Sequence, residues 1–399
     1  MNSNKKKILF LLFSPIFTKG GHSKNFLNLV KHFEPEIKAY SYDAMIISYN
    51  NSTADKGKNR DNISKNPFFN IYKIKLLKRF FPSGKIIFKV LEYLLNFSKT
   101  FWLIISYRPL VVYAYSDVAL YLSFPFKKLL GYKLIYDMRG DSLDELKVRG
   151  ASGKYINMLS KFHNFALKST DLVFTVSSEN KIKNVKSCIP KYNYYDGEIF
   201  RYDESEMLKK KKELGLEDKF VFVYTGNARY YQFLEGTIKF FSQFRIKHPD
   251  SFLIIISEFE IQEFTVFLEK YNIPETYYFI VSLPQNKISE LQQIADMGLL
   301  LREDYPLNHN SFPTKFAEYL ASGVPVLMTP YIYSIAPMVI NNNLGEVIDI
   351  KDDYSEDIEI IYKKYKNNLS GKKYCFGFAQ KELMWQNKAK LFFKIIDGI

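Results

Sequence analysis

Short apolar runs alternate with amphipathic stretches along most of the chain. KKILFLLFS opens the series, and GGHSKNFLNLVKHF follows with apolar residues at Phe26, Leu27, Val30 and Phe33, a helical spacing. AMIISY, VVYAYS, KLIYDMR and DLVFTVS are of buried-strand type, with amphipathic helical stretches between them. Strand, helix, strand in this rhythm predicts a parallel sheet with helices on both faces.

The rhythm restarts after Phe200. ESEMLKKKKELGLEDK reads as a surface helix stopped by Gly215, and FVFVYTG begins a second and cleaner alternation. Its strands are FVFVYTG, SFLIIIS, YYFIVS, MGLLL and PVLMT. Its helices are LEGTIKFFSQFRIKH, EIQEFTVFLEKYN, NKISELQQIA and SFPTKFAEYLAS. The expected fold class is therefore α/β, with two doubly wound Rossmann-like domains. The expected bounds are 1–200 and 201–380, with 381–399 (KELMWQNKAKLFFKIIDGI) as one last amphipathic helix.

Hydrophobic residues make up 47% and charged residues 25%, a globular balance that leaves no room for a disordered chain. Cys188 and Cys375 stand far apart with no CxxC partner, so neither a disulfide framework nor a zinc site follows, and a reducing cytoplasm fits. MNSNKKKILFLLFSPIF imitates a signal peptide, but KGGHSKN behind it is a turn opening a helix, and a first buried strand is the expectation. FWLIISYRPLVVYAYSDVALYLSF is broken by Arg108, Pro109 and Asp117, so it reads as a helix end followed by a strand and not as a membrane span. The net charge is +14, and Lys56 to Arg108 carries twelve Lys/Arg against Asp61 and Glu92. That stretch interleaves cations with apolar residues (FFNIYKIKLLKRFF, KIIFKVLEYLLNF), an amphipathic surface suited to anionic lipid. No nucleic-acid recognition module accompanies the charge.

Doubly wound sheets bind ligands at the carboxyl ends of their strands, beside helix N-termini that favour phosphate. The loop REDYPLNHNSFPTK is the richest in polar residues. Pro313 suits the first helical position, Ser311 the cap, and Thr314, Lys315 and Glu318 the first turn and a half. Thr314 and Lys315 at the helix start are candidates for a diphosphate, and Glu318 for a pair of ribose hydroxyls. In TGNARYYQ, Gly226 allows close backbone approach, Asn227 follows it, and Arg229 offers a forked cation. Gly20 and Gly21 stand at the first helix start, and Asp137, Arg139 and Asp141 end a strand in YDMRGD, where they could orient an acceptor hydroxyl or the donor sugar.

The run ADMGLLLREDYPLNHNSFPTKFAEYLASGVPVLMTP resembles the donor-site signature of retaining glycosyltransferases of the GT-B type, the large family four or group 1 set. KKELGLEDKFVFVYTGNARYYQFLEG and ILFLLFSPIFTKGGHSKNFLNLVKHF resemble earlier parts of the same pattern in the same order. The resemblance implies two domains facing across a cleft, Glu318 on the donor ribose and Arg229 on the diphosphate. It implies Gly20 and Gly21 toward donor phosphates or acceptor, and a C-terminal helix that crosses back onto the first domain. Three departures stand out. Asn310 replaces a glutamate eight positions before the ribose glutamate, so either Asn310 or Glu303 is the expected sugar contact. Tyr230, Tyr231 and Gln232 stand where relatives carry a lysine, leaving Lys315 as the second cation. DMRGD stands where a histidine is common.

The implied reaction moves a sugar from a nucleotide-diphosphate sugar to a glycan or lipid-linked acceptor, with retention, at the inner face of a cell membrane in surface polysaccharide assembly such as lipopolysaccharide or capsule. Arg229, Lys315, Asp137 and Arg139 are the expected catalytic residues. Gly226, Asn227, Glu303, Asn310, Ser311, Thr314 and Glu318 complete the expected donor site. No DxD-like pair suggests a metal, and no cofactor is expected beyond the donor substrate. Two rivals stand beside this reading: a nucleotide-sugar epimerase of the same architecture, which would need more acid–base residues than five histidines suggest, and a non-catalytic nucleotide-sugar-binding membrane-associated protein.

Overall fold

The computed structural model of the protein describes residues 5–12, 21–50, 69–75, 86–140, 142–148, 150–176, 185–257 and 261–399. The chain divides into two compact units, Met1–Lys191 with Lys388–Ile399, and Tyr192–Asn387.

The first unit contains β1 (Lys6–Leu12), α1 (Gly21–Ala39), β2 (Tyr42–Asn50), β3 (Phe69–Lys75), α2 (Ile86–Tyr107), β4 (Val111–Tyr115), α3 (Asp117–Leu130), β5 (Lys133–Met138), α4 (Ser142–Val148), α5 (Gly153–Leu167), β6 (Leu172–Thr175) and β7 (Cys188–Pro190). Its strands form one parallel sheet in the order β3-β2-β1-β4-β5-β6-β7. Ile8–Leu12 and Val111–Tyr115 are almost wholly buried, as strands covered on both faces must be. On one face α2, α3 and α5 lie side by side, with Phe126 of α3 against Phe97 and Phe101 of α2, and Phe124 against Phe162 of α5.

The second unit contains α6 (Glu204–Glu213), β8 (Phe220–Thr225), α7 (Leu234–Lys247), β9 (Ser251–Ile256), α8 (Ile261–Lys270), β10 (Tyr278–Val281), α9 (Gln285–Gln292), β11 (Met297–Leu300), α10 (Pro306–His309), α11 (Thr314–Ala321), β12 (Val326–Met328), α12 (Ala336–Asn341), β13 (Gly345–Val347), α13 (Ser355–Tyr365) and α14 (Leu369–Glu382). Its parallel sheet runs β10-β9-β8-β11-β12-β13. The order reverses between β8 and β11, which makes their carboxyl ends the switch point of this unit.

The two sheets begin their strands alike. Asp171 precedes β6 and accepts the Leu134 amide of β5 at 2.8 Å, while Asp296 precedes β11 and accepts the Val221 amide of β8 at 2.8 Å. Each buried carboxylate is also paired with a lysine, Lys127 at 2.6 Å and Lys211 at 3.2 Å. Each pair lies at the amino ends of the strands of its own sheet and ties them in register.

Several local expectations change. The stretch from Lys381 is not one helix: α14 ends at Glu382, Leu383 and Trp385 bond to both faces of the Tyr195 backbone, and a last helix, α15, runs Trp385–Asp397. Those bonds satisfy the backbone where the helix is interrupted. The chain re-enters the first unit at Lys388, where Phe393 packs on Phe33 and Tyr42 and Asp397 meets Lys6 at 2.7 Å. FNIYKIK, within the stretch read as an amphipathic surface, is strand β3 paired with β2. The rest of 56–85 lies outside the described residues. FWLIISY and VVYAY divide into the end of α2 and β4, and no helix of the described residues is long and apolar enough to cross a membrane.

Candidate functional site

The switch point of the second unit is shaped by packing beneath it. Gly298 interrupts the apolar run of β11 because the Tyr319 ring of α11 lies against it; a Cβ there would come within 2.6 Å of that ring. The Tyr319 hydroxyl accepts the Thr225 amide at 2.8 Å, at the end of β8. Gln292 donates to the Thr225 hydroxyl at 3.0 Å and accepts from Ser322 at 3.1 Å. This buried polar network joins α9, α11 and β8, and it fixes the height at which α11 begins.

At the end of β8 the backbone turns through Gly226, whose φ of 129° suits glycine. A Cβ there would meet the Lys315 ammonium at 3.1 Å, so the missing side chain leaves room for that cation. Lys315, in the first turn of α11, is 7% exposed. Its Nζ donates to Gln232 Oε1 at 3.1 Å and lies 4.4 Å from the centre of the Tyr224 ring. Arg302, directly after the apolar run that ends β11, is 2% exposed. Its Nη1 donates to the Gln232 carbonyl at 3.0 Å, and its backbone exchanges hydrogen bonds with the Thr329 hydroxyl beyond β12. Gln232 thus tethers two buried cations through two different oxygens.

Neither cation has a carboxylate among the described residues within ion-pair distance. Burial and the neighbouring Arg302 push the Lys315 ammonium well below the ordinary lysine pKa, and Glu318 on the same helix only partly opposes them. Burial lowers the Arg302 pKa too, offset in part by Tyr224, Tyr231 and Tyr319. Desolvated positive charge without a counter-ion is costly, and an anion at this place removes the cost. The start of α11 adds to the field. Its N-cap is Pro313, with no side-chain cap on the first amides.

Ser311 does not cap α11, as the sequence suggested. Its hydroxyl donates to the Asn308 carbonyl at 2.8 Å, and Pro313 holds the cap position instead. Thr314 and Glu318 are half-buried on α11, and Asn227 is half-buried beside Gly226, its carbonyl accepting from Tyr224 at 2.7 Å. Arg229 is exposed before the short turn Tyr230–Gln232. Glu303 is exposed, and Asn310 ends α10 half-buried. Arg302 and the tether Gln232 went unassigned in the sequence, although an arginine abutting MGLLL at a strand's carboxyl end was a signal.

In the first unit Gly21 opens α1, while Gly20 and Asp141 lie outside the described residues. Asp137 is fully buried, which corrects its expected part in orienting a hydroxyl. It accepts from Tyr113 at 2.6 Å, and Lys191 and Arg139 stand 2.9 and 3.4 Å away. Burial alone would raise its pKa, but Lys191 and Arg139 hold the carboxyl below the usual range. Burial brings Lys191 down to about 8. Asp137 therefore neutralises cations inside the unit. Arg139 lies over the Tyr115 ring, 4.9 Å from its centre, largely enclosed.

Residues 206–374 match the family described as glycosyl transferases group 1, a span that holds Gly226, Gln232, Arg302, Lys315 and Glu318. The resemblance to group 1 enzymes holds over that span. No curated protein sequence matches the chain. Among solved structures, Anabaena Alr3699/HepE in complex with UDP superposes with a TM-score of 0.74 at 13% identity, over 98% of this chain and 100% of that one. Sucrose-phosphate synthase from Thermosynechococcus elongatus gives 0.74 at 12% identity over 99% of each chain. WaaG, a glycosyltransferase involved in lipopolysaccharide biosynthesis, gives 0.63 at 13% identity over 98% of this chain and 100% of that one. The fold is accordingly that of the GT-B enzymes, two Rossmann-like domains, and the match to the group 1 family lies in the second.

Proposed function

We propose that the protein transfers a sugar from a nucleotide-diphosphate sugar to a hydroxyl of a lipid-linked or membrane-borne glycan. The observation that carries this reading is the pair of buried cations, Lys315 and Arg302, at the carboxyl ends of β8 and β11 with no carboxylate partner. A diphosphate supplies the charge they lack. In the proposed reaction the bond from the anomeric carbon to the diphosphate oxygen breaks. The acceptor oxygen bonds to that carbon, and its proton leaves with the nucleoside diphosphate. Charge grows on the departing diphosphate, where preorganised cations and the α11 N-terminus stabilise it without reorganising. Arg229, exposed beside the same loop, is the proposed third cation. Glu318, one turn into α11, is the proposed ribose ligand, and Thr314 the proposed phosphate contact. Asn310 or Glu303 is the proposed sugar contact.

Retention, independence from divalent metal, and a place on the inner face of the membrane in surface polysaccharide assembly belong to the proposal. Support comes from the group 1 sequence of residues 206–374, from a fold shared with a UDP complex, and from one shared with a lipopolysaccharide enzyme. A thermal-shift series with UDP, GDP and ADP tests the donor site. One nucleoside diphosphate should raise the melting temperature of the full chain, and Glu318→Ala should weaken that binding about tenfold or more, the loss expected for a hydrogen bond to a charged group. No stabilisation by any of the three sinks the reading.

A further inference from the structure

The helix layer on one face of the first unit leaves part of its outer apolar surface exposed. On α5 the buried side is Ile156, Leu159, His163, Ala166 and Leu167, half- to fully enclosed. Tyr155, Met158, Phe162 and Phe165 recur at spacings of three and four; Phe162 and one edge of Phe165 lie against Phe124 of α3, while Met158 is 61% and Phe165 still 63% exposed. Beside that apolar stripe run Lys154, Lys161 and Lys168, seven residues apart and therefore in line along the helix. All three are exposed, and no acidic residue occurs between Gly153 and Lys168. The neighbouring helices extend the same character. Leu129 and Lys128 are exposed at the end of α3, and α2 carries Lys99 and the 67% exposed Trp102.

A soluble helix normally turns a polar face outward. An apolar stripe bordered on one side by aligned lysines, with an exposed tryptophan nearby, is the composition of a helix that lies in a lipid interface. A protein partner or second copy would be served by the aromatics alone, whereas an unrelieved row of cations requires a negative counterpart. We infer that the outer face of α5, with the adjoining ends of α3 and α2, docks on an anionic lipid surface. The aromatics and Met158 enter the headgroup region, and Lys154, Lys161 and Lys168 pair with lipid phosphates. This centres the docking face on α5, and of the basic 56–108 stretch only the end of α2 joins it. The inference rests on the proposed function only for its purpose, which is to hold the enzyme where a membrane-borne acceptor is found.

Trp102 supplies the probe. The chain has two tryptophans, and Trp385 is buried, so in a Trp385→Phe background the emission reports on α2 alone. The full chain is mixed with vesicles of phosphatidylcholine, with and without phosphatidylglycerol. Flotation and a blue shift of Trp102 emission are expected with the anionic vesicles only. Replacing Lys154, Lys161 and Lys168 together by glutamine should weaken vesicle binding on the order of a hundredfold at low salt. Met158→Ser with Phe165→Ser should weaken it about tenfold or more, and their exposure leaves the fold intact, as a melting curve will verify. No flotation with anionic vesicles, or flotation that both variants leave unchanged, overturns the inference. So does self-association abolished by Met158→Ser and Phe165→Ser with no vesicle binding, since the face then belongs to a second copy. Nucleotide stabilisation measured alongside separates the two proposals, because it reads the second unit and is independent of lipid.

Discussion

Lys315→Met should make the empty protein more stable and the nucleotide-bound protein less so. Methionine nearly conserves length and volume, so repacking against Tyr224 costs under about 1.5 kcal/mol. Losing the bond to Gln232 Oε1 costs about 1 kcal/mol. Against these stands the relief of a buried ammonium next to Arg302. A lysine can always escape a dry site by releasing its proton, and from an unfolded pKa of about 10.4 that release costs about 4 kcal/mol at about pH 7.5, which bounds the relief. The net gain is about 1–3 kcal/mol. For a unit of about 200 residues, Tyr192–Asn387, each kcal/mol moves the melting temperature about 2–4 °C. A rise of roughly 2–12 °C is expected at neutral pH.

The sign with pH follows from the direction of the shift. The folded pKa of Lys315 lies below its unfolded value, chiefly through burial. Between the two values the unfolded chain holds more protons than the native one, so the wild type gains stability as pH rises through that window. The advantage of Lys315→Met should therefore shrink toward about pH 10, where the unfolded lysine is also losing its proton. Differential scanning fluorimetry across pH reads both effects. In the same assay UDP or its effective counterpart, at a hundred times its Kd, should add about 2.7 kcal/mol to the wild type and far less to the variant. A variant that melts at or below the wild type at neutral pH, or a gap that widens with pH, refutes the charge argument. A variant that keeps the full nucleotide shift refutes the assignment of Lys315.

Gly226→Ala should lower stability by about 1–3 kcal/mol in a melting curve and weaken nucleotide binding, because φ is 129° there and the new Cβ would crowd the Lys315 ammonium. Gly377→Ala, in the interior of α14 with open space around it, is the control of opposite sign, worth about 0.5–1 kcal/mol of added stability. Asp137→Asn should cost about 3–5 kcal/mol in urea unfolding, since Lys191 and Arg139 remain buried without their carboxylate. The Asp137 pKa is held below its ordinary value, so its contribution is present above about pH 4 and lost as pH falls through the folded value; the gap to Asp137→Asn should close in acid.

Much of the second sheet was legible because strands buried on both faces must be continuously apolar, and FVFVYT, SFLIII and MGLL leave no other reading. The strands that escaped notice, β3, β7 and β13, stand at or beside sheet edges. Edge strands are covered less, and CIP and GEV are too short to show a period. The start of α11 failed for another reason. Ser311 has the chemistry of a cap, but so does the competing use of its hydroxyl on the Asn308 carbonyl, and only the backbone path through Pro313 decides between them.

Arg302 marks the deeper limit. A sequence of this charge offers many cations near strand ends, and what distinguishes a binding cation is a place at the carboxyl ends of the strands with no carboxylate in reach. Lys211 and Lys191 are just as deep and Lys127 is partly buried, yet each has its aspartate, and Lys372, equally buried, is held by the Gln293 and Ala295 carbonyls before the start of β11, away from the switch point. Lys315 and Arg302 are instead held by Gln232, 83 and 70 residues away, through a neutral amide and a carbonyl. A neutral tether positions a cation without spending its charge. That distinction turns a loop rich in polar residues into a site with a sign, and it makes Gln232 a positioning residue whose effect can be separated from charge. Gln232→Glu should lock Lys315 in an ion pair, raise the stability of the empty protein, and exclude the diphosphate. If Gln232→Glu instead binds nucleoside diphosphate as the wild type does, the neutrality of the tether has no part in recognition.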